Sequence, residues 1–223
     1  AFDEETLGAL DAIVDAFYPG PMGAEAIAGV LFGDFSPSGR TPVTFYKSTT
    51  SLPPLGHMEM YPNATDPTMY PGITYRFYKG NVLFPFGYGL SYTTFSYSNL
   101  QVVNTSSTFK PCESIGISVY VMNDGDVDSD EVVQLYIKQP AATVPVPQVR
   151  LASFARVHIP AGEKKRVNLL VSPMSHAIVL ADGGNATGED IYGAWRSVAV
   201  EDGIFEVYVG GGQPDYWKGA QKI

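Results

Sequence analysis

Ile115-Gly116-Ile117-Ser118-Val119-Tyr120-Val121, closed by Asn123-Asp124-Gly125, decides how the larger part of this chain folds. Ile115, Ile117, Val119 and Val121 recur at every second position, the period of a strand with one buried face. Asn, Asp and Gly tolerate the backbone of a tight turn, so the chain reverses there. The alternation returns at Val133, Leu135 and Ile137 and again at Val167, Leu169 and Val171. Leu151, Phe154, Val157 and Ile159 line a further strand, which Pro160-Ala161-Gly162-Glu163 turns. The last strands are expected over 195–200 and 204–209, joined by Glu201-Asp202-Gly203. About seven short strands with turns between them predict an immunoglobulin-like sandwich.

Working outward, the texture changes before residue 95. Pro53, Pro54, Pro62, Pro67, Pro71 and Pro85 are interleaved with aromatics, including Tyr75-Arg76-Phe77-Tyr78 and Phe84-Pro85-Phe86-Gly87-Tyr88. A connection this long holds its course in a compact domain only when its own rings pack it down. Tyr75, Phe77 and Tyr78 are therefore read as packing groups.

Further upstream the pattern is that of an α/β fragment. A helix is expected from about Gly23 to Phe32, with Ile27, Val30 and Leu31 as its stripe, small Ala24, Ala26 and Ala28 for close packing, and Gly33 as C-terminal cap. A turn over 34–39 leads to a strand at Val43-Thr44-Phe45-Tyr46. Asp3 can cap a short helix whose first turn holds Glu4 and Glu5. Leu7, Leu10, Ile13, Val14 and Phe17 fit a helical face, yet residues 12–18 fit a buried strand equally well. In the strand reading this is a βαβ pattern. One helix and one or two strands cannot close a parallel sheet, so residues 1–90 are expected to pack against further polypeptide.

Composition narrows the function. The chain has 223 residues, 45% hydrophobic and 17% charged, enough apolar surface to exclude a disordered chain. Its net charge of -9 opposes nucleic-acid binding, which needs clustered cations. Lys164-Lys165-Arg166 reads as the solvated face of a strand. No apolar run reaches the roughly 20 residues of a membrane-spanning helix. Cys112 is the single cysteine, so neither an internal disulfide nor a cysteine zinc site is available. It reads as a small buried hydrophobe, or as one half of a bridge to a segment outside the chain. His57, His158 and His176 lack ligand spacing, and Asp124, Asp126, Asp128 and Asp130 lack the register of a calcium loop. No metal or cofactor is expected. The sequons at Asn63, Asn104 and Asn185 stand among turn residues, which suggests a secreted, glycosylated protein. The opening Ala1-Phe2-Asp3 reads as part of something longer or as a processed product.

Tyr18-Pro19-Gly20, Val30-Leu31-Phe32-Gly33-Asp34 and Pro37-Ser38-Gly39-Arg40-Thr41-Pro42-Val43-Thr44 closely resemble the end of the second domain of glycoside hydrolase family 3. So do Tyr70-Pro71-Gly72 and the run from Thr74 to Tyr78, and Phe84 to Phe95. Asn123-Asp124-Gly125, the run Glu131 to Tyr136, and Pro160-Ala161-Gly162-Glu163 resemble the fibronectin type III-like domain that follows in that family. The likeness spans essentially the whole chain in order, and its aromatic belt is most similar to the β-xylosidase branch.

The resemblance implies three parts. Residues 1–50 would end the α/β-sandwich domain, 51–94 would be the aromatic and Pro-rich belt, and 95–223 would be the fibronectin type III-like β-sandwich. It also implies retaining hydrolysis of terminal β-D-xylosyl or β-D-glucosyl residues, which needs two carboxyl groups about 5 Å apart. In the family the nucleophilic Asp lies in an N-terminal (β/α)8 barrel and the acid/base Glu upstream of the matching stretch. This chain is therefore expected to carry no catalytic residue and to be inactive alone, its partners being the rest of the polypeptide, or a chain bearing the barrel, and a carbohydrate. His57, Glu59 and Tyr61 are the residues expected nearest a sugar. Similar xylosidases carry basic residues where Tyr61 and Ile73 stand. Arg40 is expected to pair with a distant carboxylate. The competing reading is a non-catalytic structural or adhesive extracellular module derived from such a hydrolase.

Overall fold

The computed structural model describes residues 4–52, 56, 60–62, 71–103, 108–110, 113–179 and 198–223. Its first part contains α1 (Glu4–Gly8), α2 (Gly23–Phe32), β1 (Phe45–Tyr46), α3 (Thr74–Phe77) and β2 (Val82–Phe84). Strands β3 (Phe95–Val102), β4 (Ile115–Asn123), β5 (Ser129–Lys138), β6 (Arg150–Ile159) and β7 (Lys164–Val171) follow. The short strands β8 (Ile178–Val179), β9 (Val198–Ala199), β10 (Glu206–Gly210) and β11 (Gln221–Lys222) complete the order.

Helix α2 takes the bounds its sequence suggests. Gly33 closes it with φ 80°, and its N–H reaches back to Val30, a left-handed cap that a Cβ would strain. The apolar stripe is only partly covered: Ile27 and Val30 are half-buried, whereas Leu31 and Phe32 are exposed. Residues 12–18 correct the sequence reading, because they form neither helix nor strand. A strand exists only when a neighbour takes its backbone hydrogen bonds, and no described strand pairs with these residues. Leu10, Ile13, Val14, Phe17 and Tyr18 are exposed there. The expected strand at 43–46 is confined to Phe45–Tyr46 and pairs antiparallel with β2, Phe45 opposite Phe84, in place of a parallel βαβ partner.

The later part has two larger sheets, ordered β11-β10-β5-β6 and β3-β4-β7, and a two-stranded antiparallel pair, β8-β9. Strands β5 and β10 run antiparallel with Leu135 opposite Val209 and Ile137 opposite Val207. Ile117, Val119, Val121, Val133, Leu135, Val171 and Val209 are all withdrawn from water and form the core. Each such side chain contributes about 1.5–3 kcal/mol on burial. Strand β7 alternates as its sequence does, with Val167, Leu169 and Val171 inward.

Three sequence readings are refined here. Strand β4 is the middle strand of its sheet, so Ser118 on its other face is buried too, its hydroxyl accepting from Arg166. In β5, Gln134 and Tyr136 are as buried as the aliphatic set. The Tyr136 hydroxyl donates to Gln134 Oε1 at 2.6 Å, and Gln134 Nε2 donates to the Gly211 carbonyl at 3.0 Å. Phe154 points outward, because it shares the parity of Arg156 and His158 on β6, opposite to Val157 and Ile159.

The chain divides into two compact units. The first comprises residues 1–96 with 122–132 and 156–164; the second comprises 97–121, 133–155 and 165–223. The loop ends of strands β4 to β7 therefore cluster with the first part of the chain.

Candidate functional site

The belt condenses around its rings. Tyr75 stacks on Phe86 with centroids 4.1 Å apart, Phe84 stacks on Tyr88 at 5.5 Å, and Tyr46 meets Tyr78 edge-on at 4.8 Å. Phe77 and Tyr78 are buried. These rings are packing groups, as the spacing of prolines and aromatics suggested. The Tyr46 hydroxyl accepts the Thr74 N–H at 2.9 Å and so supports a β-branched residue held at φ 61°. Burial pushes the Tyr46 phenol above its usual value of 10.0, against the Thr74 hydrogen bond that lowers it.

Of the residues expected nearest a sugar, Tyr61 lies in this assembly. Its ring rests on Phe77 with centroids 4.5 Å apart, and the residue is 49% exposed. The preceding carbonyl, on Met60, accepts the Ile73 N–H at 3.1 Å. His57 and Glu59 lie outside the described residues, as do Cys112 and the sequon residues Asn63, Asn104 and Asn185.

Several carboxylates are engaged. Glu131 is fully buried and takes the Arg40 guanidinium at 2.6 Å, with Arg40 itself 8% exposed. This is the distant ion pair expected of Arg40. The turn bearing Arg40 is fastened on its other side, where the Thr41 N–H donates to the Tyr88 carbonyl and Thr41 Oγ1 to the Pro85 carbonyl. Asp130 accepts from Arg156 at 2.7 Å and bonds His158 at 2.8 Å. Burial raises its carboxyl, but the His158 and Arg156 hydrogen bonds outweigh that and hold it below the ordinary 3.8. Asp128 accepts the Ala161 N–H, and Asp124 accepts from Ser96. Each described aspartate with a partner thus fastens a loop.

Asn123 is a polar centre that sequence reasoning took for a turn residue alone. It is fully buried. Its Oδ1 accepts from Thr93 Oγ1 at 2.5 Å and from the Gly125 N–H at 3.1 Å, while Nδ2 donates to the Val127 and Ile159 carbonyls. All four of its hydrogen-bonding positions are filled, as a buried amide requires. Its place at the inward parity of β4, one residue before the turn, is the signal that could have found it.

Among the described residues no group of three or more His, Cys, Asp or Glu side chains is disposed to hold a metal, and no helix is long and apolar enough to cross a membrane.

Two family models match the chain: the glycosyl hydrolase family 3 C-terminal domain over residues 2–92 and the fibronectin type III-like domain over residues 131–213. The chain belongs to glycoside hydrolase family 3, of which it carries the end of the α/β domain followed by the fibronectin type III-like sandwich. β-D-Xylosidase 1 of Arabidopsis thaliana is 34% identical over 202 residues, a match to 78% of this chain and 26% of that protein. A β-glucosidase of Bacteroides ovatus is 33% identical over 213 residues, covering 92% of this chain and 27% of its own length. The solved β-glucosidase of Erythrobacter marinus superposes with a TM-score of 0.71 at 31% identity, over 94% of this chain and 24% of that one. The chain spans about a quarter of the length of the curated relatives it matches.

Proposed function

We propose that this chain is the non-catalytic C-terminal portion of a secreted, glycosylated family 3 hydrolase, which removes terminal β-D-xylosyl or β-D-glucosyl residues with retention. The observation that carries the reading is the ordered pair of domain matches, with relatives among both β-xylosidases and β-glucosidases. The nucleophile and the acid/base belong to the remaining polypeptide. Residues 1–50 end the α/β-sandwich domain, 51–94 form the belt, and 95–223 form the sandwich. The chain's own contribution is to fasten these parts through Arg40, Asn123 and Glu131. His57, Glu59 and Tyr61 border the sugar site, and Asn63, Asn104 and Asn185 carry the glycans.

The test is a comparison of the complete protein with this chain on aryl β-xylosides and aryl β-glucosides. Turnover is expected from the complete protein only. Substituting Tyr61→Ala in the complete protein is expected to raise KM several-fold with kcat little changed, since a sugar contact made equally in ground and transition states acts on binding. An inactive complete protein would leave the chain a structural module and defeat the hydrolase reading.

A further inference from the structure

His176 ends the short 3-10 turn Pro173–Ser175, between β7 and β8. It is 3% exposed, and its Nδ1 has no hydrogen-bond partner among the described residues. The Ser172 backbone lies close enough to the imidazole to favour its charged form, a weaker influence than burial. Phe205 meets the ring edge-on at 5.3 Å. Gln139, just beyond β5, donates from its amide to the His176 carbonyl at 2.9 Å. Arg150, at the start of β6, donates to the Ser175 carbonyl at 2.9 Å and the Ala177 carbonyl at 3.1 Å, the two that flank His176. Arg150 also brings the charge that bears on the ring. Glu201, on the segment leading to Phe205, is engaged with Thr143.

We propose that His176 is an acid-released latch, holding the 172–179 corner closed while its imidazole is neutral and loosening it when the imidazole is protonated. Protonation would put a second N–H on the ring, with no acceptor for Nδ1 among the described residues, and a second cation beside Arg150, in a place withdrawn from water. The corner relieves this by opening to solvent. Burial and Arg150 push the imidazole below its ordinary 6.5, against the Ser172 hydrogen bond. Fewer protons are bound folded than unfolded, so the stabilisation is complete above about pH 6.5 and declines as the pH falls toward the folded value.

Amide hydrogen exchange across 172–179, corrected for the chemical exchange rate, tests this at about pH 7.5 and about pH 5. Protection is expected to fall on the order of tenfold per pH unit once below the unfolded pKa. The His176→Gln variant is expected to lose that dependence. A pH response that survives in the variant, or uniform protection in the wild type, would overturn the proposal. Should the variant not fold, NMR titration of the wild-type imidazole decides. A midpoint below 6.5 supports the latch and one at or above 6.5 refutes it.

Discussion

Arg40 and Glu131 stand 91 positions apart in sequence, yet both are withdrawn from water and joined at 2.6 Å. A buried ion pair contributes little net stability against an apolar pair, but removing one partner strands the other charge. Arg40→Ala is therefore expected to cost about 3–5 kcal/mol in chemical denaturation. A double change to Arg40→Met with Glu131→Leu should recover most of it, and a cost near zero for the single change would contradict the description of the pair. Asp130 gives a pH prediction of definite sign. Its carboxyl is held low, so its stabilisation is present above the ordinary 3.8 and is lost as the pH falls through the folded value. Asp130→Asn should flatten that acid limb in melts taken across the range. At this scale Arg40 was legible, because a cation fixed after a Gly turn needs a counter-charge. Glu131 was not, because its partner Arg40 lies 91 positions away and no local pattern names it, and Asn123 was read as a turn residue although its inward parity on β4 marks it for burial.

The elements show which local rules suffice. Helix α2 was readable, since small residues, an apolar stripe and a glycine cap agree with one another. Residues 12–18 were not, because a strand depends on a neighbour that supplies its ladder. Helix α3 and strand β2 escaped notice for a different reason. They are only 4 and 3 residues long, held by ring packing and by the Tyr46 hydroxyl rather than by periodicity. Tyr46→Phe should therefore cost about 1–3 kcal/mol, the penalty for leaving the Thr74 N–H unpaired. Its check is a denaturation series against wild type. Gly89→Ala probes the neighbouring turn. An added Cβ would run into the Gly39 carbonyl oxygen, which is main chain and cannot swing aside. A loss of about 1–3 kcal/mol is expected, and a neutral effect would show that the 39–41 and 85–89 turns are not packed as described.

At the scale of the whole molecule, the division into units cuts across the division into domains. The loop ends 122–132 and 156–164 cluster with residues 1–96, and the pairs Ser36–Ser129, Arg40–Glu131 and Thr93–Asn123 all lie within that unit. Expressing residues 95–223 alone should therefore leave Glu131 without Arg40 and Asn123 without Thr93. Circular dichroism melts are expected to place its transition well below that of the whole chain, and an unchanged transition would establish an autonomous sandwich. The alternating strands and turn words made the sandwich legible from sequence. The exposed apolar set at Leu10, Ile13, Val14, Phe17 and Tyr18 matches the expectation that the opening segment packs against further polypeptide. The central claim is that the reacting carboxylates belong to that polypeptide. A fluorinated aryl xyloside or glucoside that traps the glycosyl-enzyme measures this directly, followed by peptide mapping of the complete protein. The account predicts a single labelled aspartate outside these 223 residues; a glycosyl adduct on any carboxylate within them would contradict it.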